Sequence, residues 1–148
     1  MSGVVFPIHI GELNGKLLRF FKAPTDEPQL VWHAWDDLVA CASLPRDLSE
    51  RFQRSMRRDY PDGVRTIGTT EGILTIAPHW MALGFIGSMI ENKRMPASAE
   101  LFYTIQSVDA WNALTGDLCR PQGMDLFLAA LQNTNKNGGG EASVGGGV

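Results

Sequence analysis

A chain of 148 residues is the size of one domain and can bury a single core without disulfides or a structural metal. Its 44% hydrophobic and 20% charged content is that of an ordinary globular protein, and its net charge of -3 excludes a global pull towards nucleic acid, so any basic surface has to be local. The two cysteines, Cys41 and Cys119, fit no C-x-x-C or Cys/His metal spacing and are expected to be reduced, buried thiols.

Val4 to Ile10 carries β-branched and aromatic residues suited to a strand, and Asn14-Gly15 offers the pair that a two-residue type I′ hairpin turn prefers. Lys16 to Lys22 is the expected partner strand. Ala23 to Pro28 is a polar, turn-rich loop, and a third strand is predicted over Gln29 to His33. Asp36 or Asp37 can supply negative charge to the first turn of a short helix continuing through Ala42, where the macrodipole favours carboxylates. Ser43 or Asp47 can cap the next helix, which has Pro45 near its first turn and stops before Pro61. On that helix Leu48, Phe52 and Met56 share one face, while Arg51, Arg54, Arg57 and Arg58 gather on the opposite one.

Val64 to Thr69 and Gly72 to Ile76 read as a hairpin whose turn places Gly72 where positive φ is needed. After Pro78, a helix from His79 to about Asn92 is apolar nearly all round and belongs in a core. Ser98 is expected to cap a helix over Ala99 to Leu114 that buries Leu101, Phe102, Ile105, Val108, Ala110 and Trp111, with Gly116 ending it. A last helix is predicted from Pro121 or Met124 to Gln132. Residues 133–148, rich in Asn and Gly, are expected to form a flexible tail after a single domain over residues 1–132. The longest apolar stretch, Ile73 to Ile90, is broken by Pro78, His79, Gly84 and Gly87 and falls short of a membrane span. With no signal-peptide pattern at the N-terminus, a cytoplasmic protein is expected.

No catalytic signature emerges. His9, His33 and His79 lie on three predicted elements with no metal-ligand spacing, and no cofactor is implied. Asp36 and Asp37 point about 100° apart on a helix and do not converge on one ligand. Trp32, His33 and Trp35 are explained by core packing. The Gly-rich pieces at 138–140 and 145–147 lack the strand and helix of a phosphate-binding loop.

The informative cluster is basic. Arg46, Arg51, Arg54, Arg57, Arg58 and Arg65 are six of the 13 Lys and Arg residues and fall within twenty positions, interspersed with Asp47, Glu50, Asp59 and Asp62. Arginine meets phosphates through a planar fork and also reads base edges, so a helix and adjoining hairpin that carry it suit a nucleic-acid surface. Lys93 and Arg94 extend that patch if the fold brings their loop alongside.

The order of elements resembles the Bro-N domain of phage antirepressors and baculovirus BRO proteins. Val31 to Val39 looks like that family's strand-to-helix segment, and Thr70-Glu71-Gly72-Ile73-Leu74 is similar to its "E-x-G-L" turn, though Glu and Gly are adjacent here. The resemblance covers roughly Ile8 to Asn92. The family's "L-G-Y" is replaced by Ala42-Ser43-Leu44-Pro45, and Thr75 to Trp80 has no strong counterpart. The resemblance implies a DNA-binding or regulatory module of mobile-element origin.

The expectation is therefore an α+β domain, antiparallel hairpins packed against four or five helices, acting as a non-enzymatic regulator that binds DNA through the six arginines. An antiactivator or inhibitor using the same basic face against an acidic protein partner is the alternative. An enzyme built on His33, Asp36, Asp37 and His79 comes third. The apolar segment Ala99 to Gln132 exceeds what a small sheet needs to cover and points to a possible homodimer.

Overall fold

Asn14 and Gly15 take left-handed φ values of 54° and 81°, as a type I′ turn demands, and this fixes Leu13 opposite Lys16. Strand β1 (His9–Leu13) therefore runs back from the turn, later in the chain than its β-branched content suggested, and pairs antiparallel with β2 (Lys16–Phe21). The computed structural model describes residues 4–60, 63–116 and 120–137. Val4 to Pro7 is not a strand: Val5 N donates to Gly68 O at 2.8 Å, and Ile8 N donates to Phe20 O at 2.9 Å.

The third strand, β3 (Trp32–Ala34), is short, and α1 (Trp35–Cys41) follows it without a linker. Its predicted start at Gln29 is too early: the ladder with β2 begins at Trp32, opposite Phe21, and before it Gln29 Oε1 accepts a 3.1 Å hydrogen bond from Trp32 Nε1. Helix α2 (Arg46–Asp59) leads to β4 (Arg65–Thr69) and β5 (Gly72–Ala77), joined by a turn in which Gly72 has φ 121°. The five strands form one antiparallel sheet ordered β1-β2-β3-β5-β4. Helices α3 (His79–Glu91), α4 (Ala99–Thr115) and α5 (Arg120–Asn137) complete a single α+β domain.

Strand alternation divides the buried side chains between two faces. Leu18, Phe20 and Ala77 join the main core with Trp35, Leu38 and Val39 of α1, Phe85 and Ile86 of α3, and Tyr103 and Trp111 of α4. Phe21, Trp32, Ala34, Leu74 and Ile76 form a second cluster on the other face, with Ile67 against it.

Two adjacent carboxylates fasten α1 across this sheet. Asp37 takes the Arg19 guanidinium as a fork, Nε to Oδ2 and Nη2 to Oδ1 each at 2.8 Å, and also accepts the Arg19 backbone N–H at 3.0 Å. Asp36 accepts Thr75 N at 3.2 Å. Because β3 lies between β2 and β5, the divergence of neighbouring helical side chains lets Asp37 reach one flanking strand and Asp36 the other. Arg19 Nη1 also meets Glu71 Oε1 at 3.0 Å, tying in the tip of the second hairpin.

Three expectations for the later helices need correction. Pro45 and Ser98 occupy the N-cap positions of α2 and α4, but neither helix has a side-chain cap bond. On α4 only Ala110 and Trp111 of the predicted face are buried; Leu101, Phe102, Ile105 and Val108 face outward, while Ala99, Tyr103 and Ser107 turn inward. A helix apolar on every side has no preferred face of its own, so the partner surface selects one. Small side chains let α4 approach closely, and Tyr103 finds His33 across the interface. Finally, α5 continues to Asn137, past the boundary expected at Gln132, because Asn133 Nδ2 donates to Pro28 O at 2.7 Å and Thr134 Oγ1 accepts Leu30 N at 3.1 Å. The remainder of the expected tail, 138–148, lies outside the described residues, as does Cys119.

The Arg19–Asp37 pair is nearly enclosed, with side chains 16% and 11% exposed, whereas Glu71 is 76% exposed. Asp37→Ala is expected to destabilise the fold by about 3 kcal/mol, since it strands a desolvated guanidinium. Glu71→Ala is expected to cost less than about 1 kcal/mol. Urea denaturation of the two variants checks the contrast.

Candidate nucleic-acid interface

Helix α2 lies on the outside of the domain and contains no fully buried residue. Phe52 and Met56 attach it to the main core. Phe52 meets Phe85 edge-on with ring centroids 5.8 Å apart, and Tyr60, just past the helix, meets Trp80 at 5.3 Å. Later α2 positions thus contact earlier α3 positions, so the two helices run antiparallel. Lys93 and Arg94, in the loop after α3, are exposed.

With Phe52 and Met56 directed inward, helical periodicity turns the arginines out. Arg51, Arg54 and Arg58 recur at i, i+3 and i+7, a row about 10 Å long at 1.5 Å per residue. Among the described residues, Arg51 and Arg54 make no hydrogen bond or ion pair, so their charges are free. Arg58 donates to Asp59 Oδ1 at 3.0 Å, an exposed pair that holds its guanidinium above the usual range and leaves further donors available. Arg57 leans back to the sheet, with Nη2 3.4 Å from Thr75 Oγ1. Arg46 is paired locally with Glu50 at 3.2 Å.

Arg65 does not join this row. It stands opposite Ile76, so it shares the sheet face of the second apolar cluster, and its Nη1 donates to Pro24 O at 3.3 Å. The hairpin register, which the arginine count does not reveal, therefore splits the six residues. Four arginines of α2 cluster, Arg46 is partly neutralised at the helix start, and Arg65 belongs to a different face.

The residues weighed for an enzyme divide as well. Asp36 and Asp37 are taken up by Thr75 and Arg19. His33 and His79 instead meet around Tyr103, whose hydroxyl lies 3.5 Å from His33 Nδ1 and whose ring is 5.6 Å from that of His79. Sequence reading missed Tyr103, which is seventy positions from His33; its only local sign was a place among the small residues Ala99, Ser107 and Ala110. Burial, reinforced by His79, pushes the His33 pKa down to about 3; burial alone pushes that of His79 down to about 4 and raises that of Tyr103. The cluster is uncharged at neutral pH. His33 Nε2 and His79 Nδ1 are buried without a hydrogen-bond partner. Cys41, also buried, has its thiol pKa pushed up to about 12 by burial and by Asp37.

The chain matches no family model, no curated protein and no solved structure. Among the described residues, no group of three or more His, Cys, Asp or Glu side chains is placed to hold a metal ion, and no helix is long and apolar enough to cross a membrane.

The depressed histidines set a pH dependence. The unfolded chain protonates His33 and His79 near pH 6.5, whereas in the folded chain His79 resists until about 4 and His33 until about 3. Below about pH 6.5 the unfolded state thus binds more protons, and stability falls with acidification by up to roughly 1.4 kcal/mol per pH unit for each histidine; above it these groups add no slope. Denaturant midpoints at pH 7, 6 and 5 are expected to decline, and His33→Leu should remove about half of the decline. Equal slopes in the two proteins would contradict the assignment.

Proposed function

We propose that this chain is a non-enzymatic regulatory module of the cytoplasm that binds DNA through the solvent face of α2. One observation carries the reading: Arg51, Arg54 and Arg58 form an exposed row on a helix whose opposite side is anchored to the core, and among the described residues two of the three make no ion pair. A row about 10 Å long, on an axis that carries one duplex charge per about 1.7 Å, can meet several phosphates without any change in the fold. Arg57 adds its charge from the sheet side of the same helix. Arg46 contributes by exchanging its weak, exposed bond to Glu50 for a phosphate.

The similarity of Val31 to Val39 and Thr70 to Leu74 to Bro-N segments supports a regulatory role of this kind. The net charge of -3 keeps a second reading in view, in which the same face grips an acidic protein. Salt response and titration against duplex separate the two.

Fluorescence anisotropy of the full chain with a 30-base-pair duplex of arbitrary sequence tests the proposal. Binding is expected at 50 mM salt and should weaken steeply by 200 mM. The triple variant Arg51→Ala, Arg54→Ala, Arg58→Ala should bind at least tenfold more weakly, with a salt slope smaller by roughly 2 to 3, because each lost phosphate contact removes about 0.9. Its thermal stability should stay close to that of the parent, since none of the three is buried. Unchanged affinity in the variant, or no binding by the parent at low salt, overturns the reading.

A further inference from the structure

The outward side of α4 and α5 carries two rows of exposed aliphatic side chains. Leu101, Ile105 and Val108 on α4 are 46–61% exposed, and Met124, Leu128 and Leu131 on α5 are 36–55% exposed. The two rows adjoin, since Trp111 and Phe127 hold the helices together at 5.9 Å and a cleft of about 540 Å³ between them is bordered by Val108, Met124 and Leu131. Together these six side chains offer on the order of 600 Å² of apolar surface, at the upper limit for a free monomer and close to the ~800 Å² that each partner gives to a standard interface.

We propose that this face is a homodimer interface in which the α4 helices of two copies pack antiparallel. On α4 the exposed row Leu101, Ile105, Val108, Asn112 has spacings of four, three and four, the pattern of a helix-pairing seam. It contains no charged side chain, and its one polar member sits at the end. Such a seam is self-complementary. A two-fold axis midway between residues 106 and 107 sets Ile105 against Val108 of the other copy and leaves Asn112 beside Leu101 at the solvent edge.

Charge selects the direction. The charged residues of α4 are Glu100 and Asp109, both acidic and both beside the seam. In a parallel pair each would face its own counterpart, a like-charge contact. In the antiparallel pair Glu100 falls opposite Ala113, and Asp109 opposite Thr104. The helix dipoles also oppose one another favourably. The arrangement does not depend on nucleic-acid binding, and either proposal can fail alone.

Sedimentation equilibrium of the full chain between 5 and 200 µM is the test. The parent should approach twice the chain mass, and Ile105→Glu and Leu128→Glu should each shift it to the chain mass while leaving the far-UV circular dichroism unchanged. A parent that stays monomeric to 200 µM, or a dimer that survives both substitutions, overturns the interface. In a Cys119→Ser background, mixing Ile105→Cys with Val108→Cys should give mainly the mixed disulfide-linked dimer. Predominant homodimer crosslinking of each alone overturns the antiparallel arrangement.

Discussion

One guanidinium holds together parts of this domain that no backbone ladder joins. Arg19 projects from the second strand into the fork of Asp37 and extends to Glu71, so a strand, the first helix and the turn of the second hairpin meet at a single planar group. Enclosure strengthens the charge-assisted bonds and makes loss of either main partner costly. Asp36 completes the arrangement on the other side by taking Thr75 N. The first helix is thereby pinned across the strand from which it emerges, and its apolar side, with Trp35, Leu38 and Val39, is pressed into the main core.

That placement leaves different tasks to the remaining helices. The third helix buries Met81, Ala82, Phe85, Ile86 and Met89 in the core, whereas the second is laid on the outside through Phe52 and Met56 and keeps its arginines in solvent. The fourth helix lies against the sheet through small and amphipathic residues, and its larger aliphatic residues are left outward beside those of the fifth. A basic face on one helix and an apolar face on two others give the molecule two surfaces of different chemistry. The chemistry of the first suits anionic groups and that of the second suits another apolar surface.

Several features were legible in the letters. Asn14-Gly15 specified its turn because few residues adopt two successive left-handed conformations. Pro78 and Gly116 marked helix limits, and the 3.6-residue period separated Arg51, Arg54 and Arg58 from Phe52 and Met56. The limit of the first strand is not among them, because composition points to Val4 to Ile10 while the hairpin register counts back from the turn. Arg65 was grouped with the helical arginines by proximity in sequence, whereas strand alternation put it with Ile76. The meeting of His33, His79 and Tyr103 was invisible, since it joins a strand and two helices far apart in the chain.

The division follows from range. Turn conformations, helix limits and the amphipathic split of the second helix depend on residues within a turn or two of one another, and chain order alone supplies those neighbours. Which face of the fourth helix is buried, which strands Asp36 and Asp37 reach, and which side of the sheet Arg65 occupies depend on surfaces supplied by distant segments. In the fourth helix the letters offered apolar residues on every side, and only contact with the sheet and Tyr103's approach to His33 chose among them.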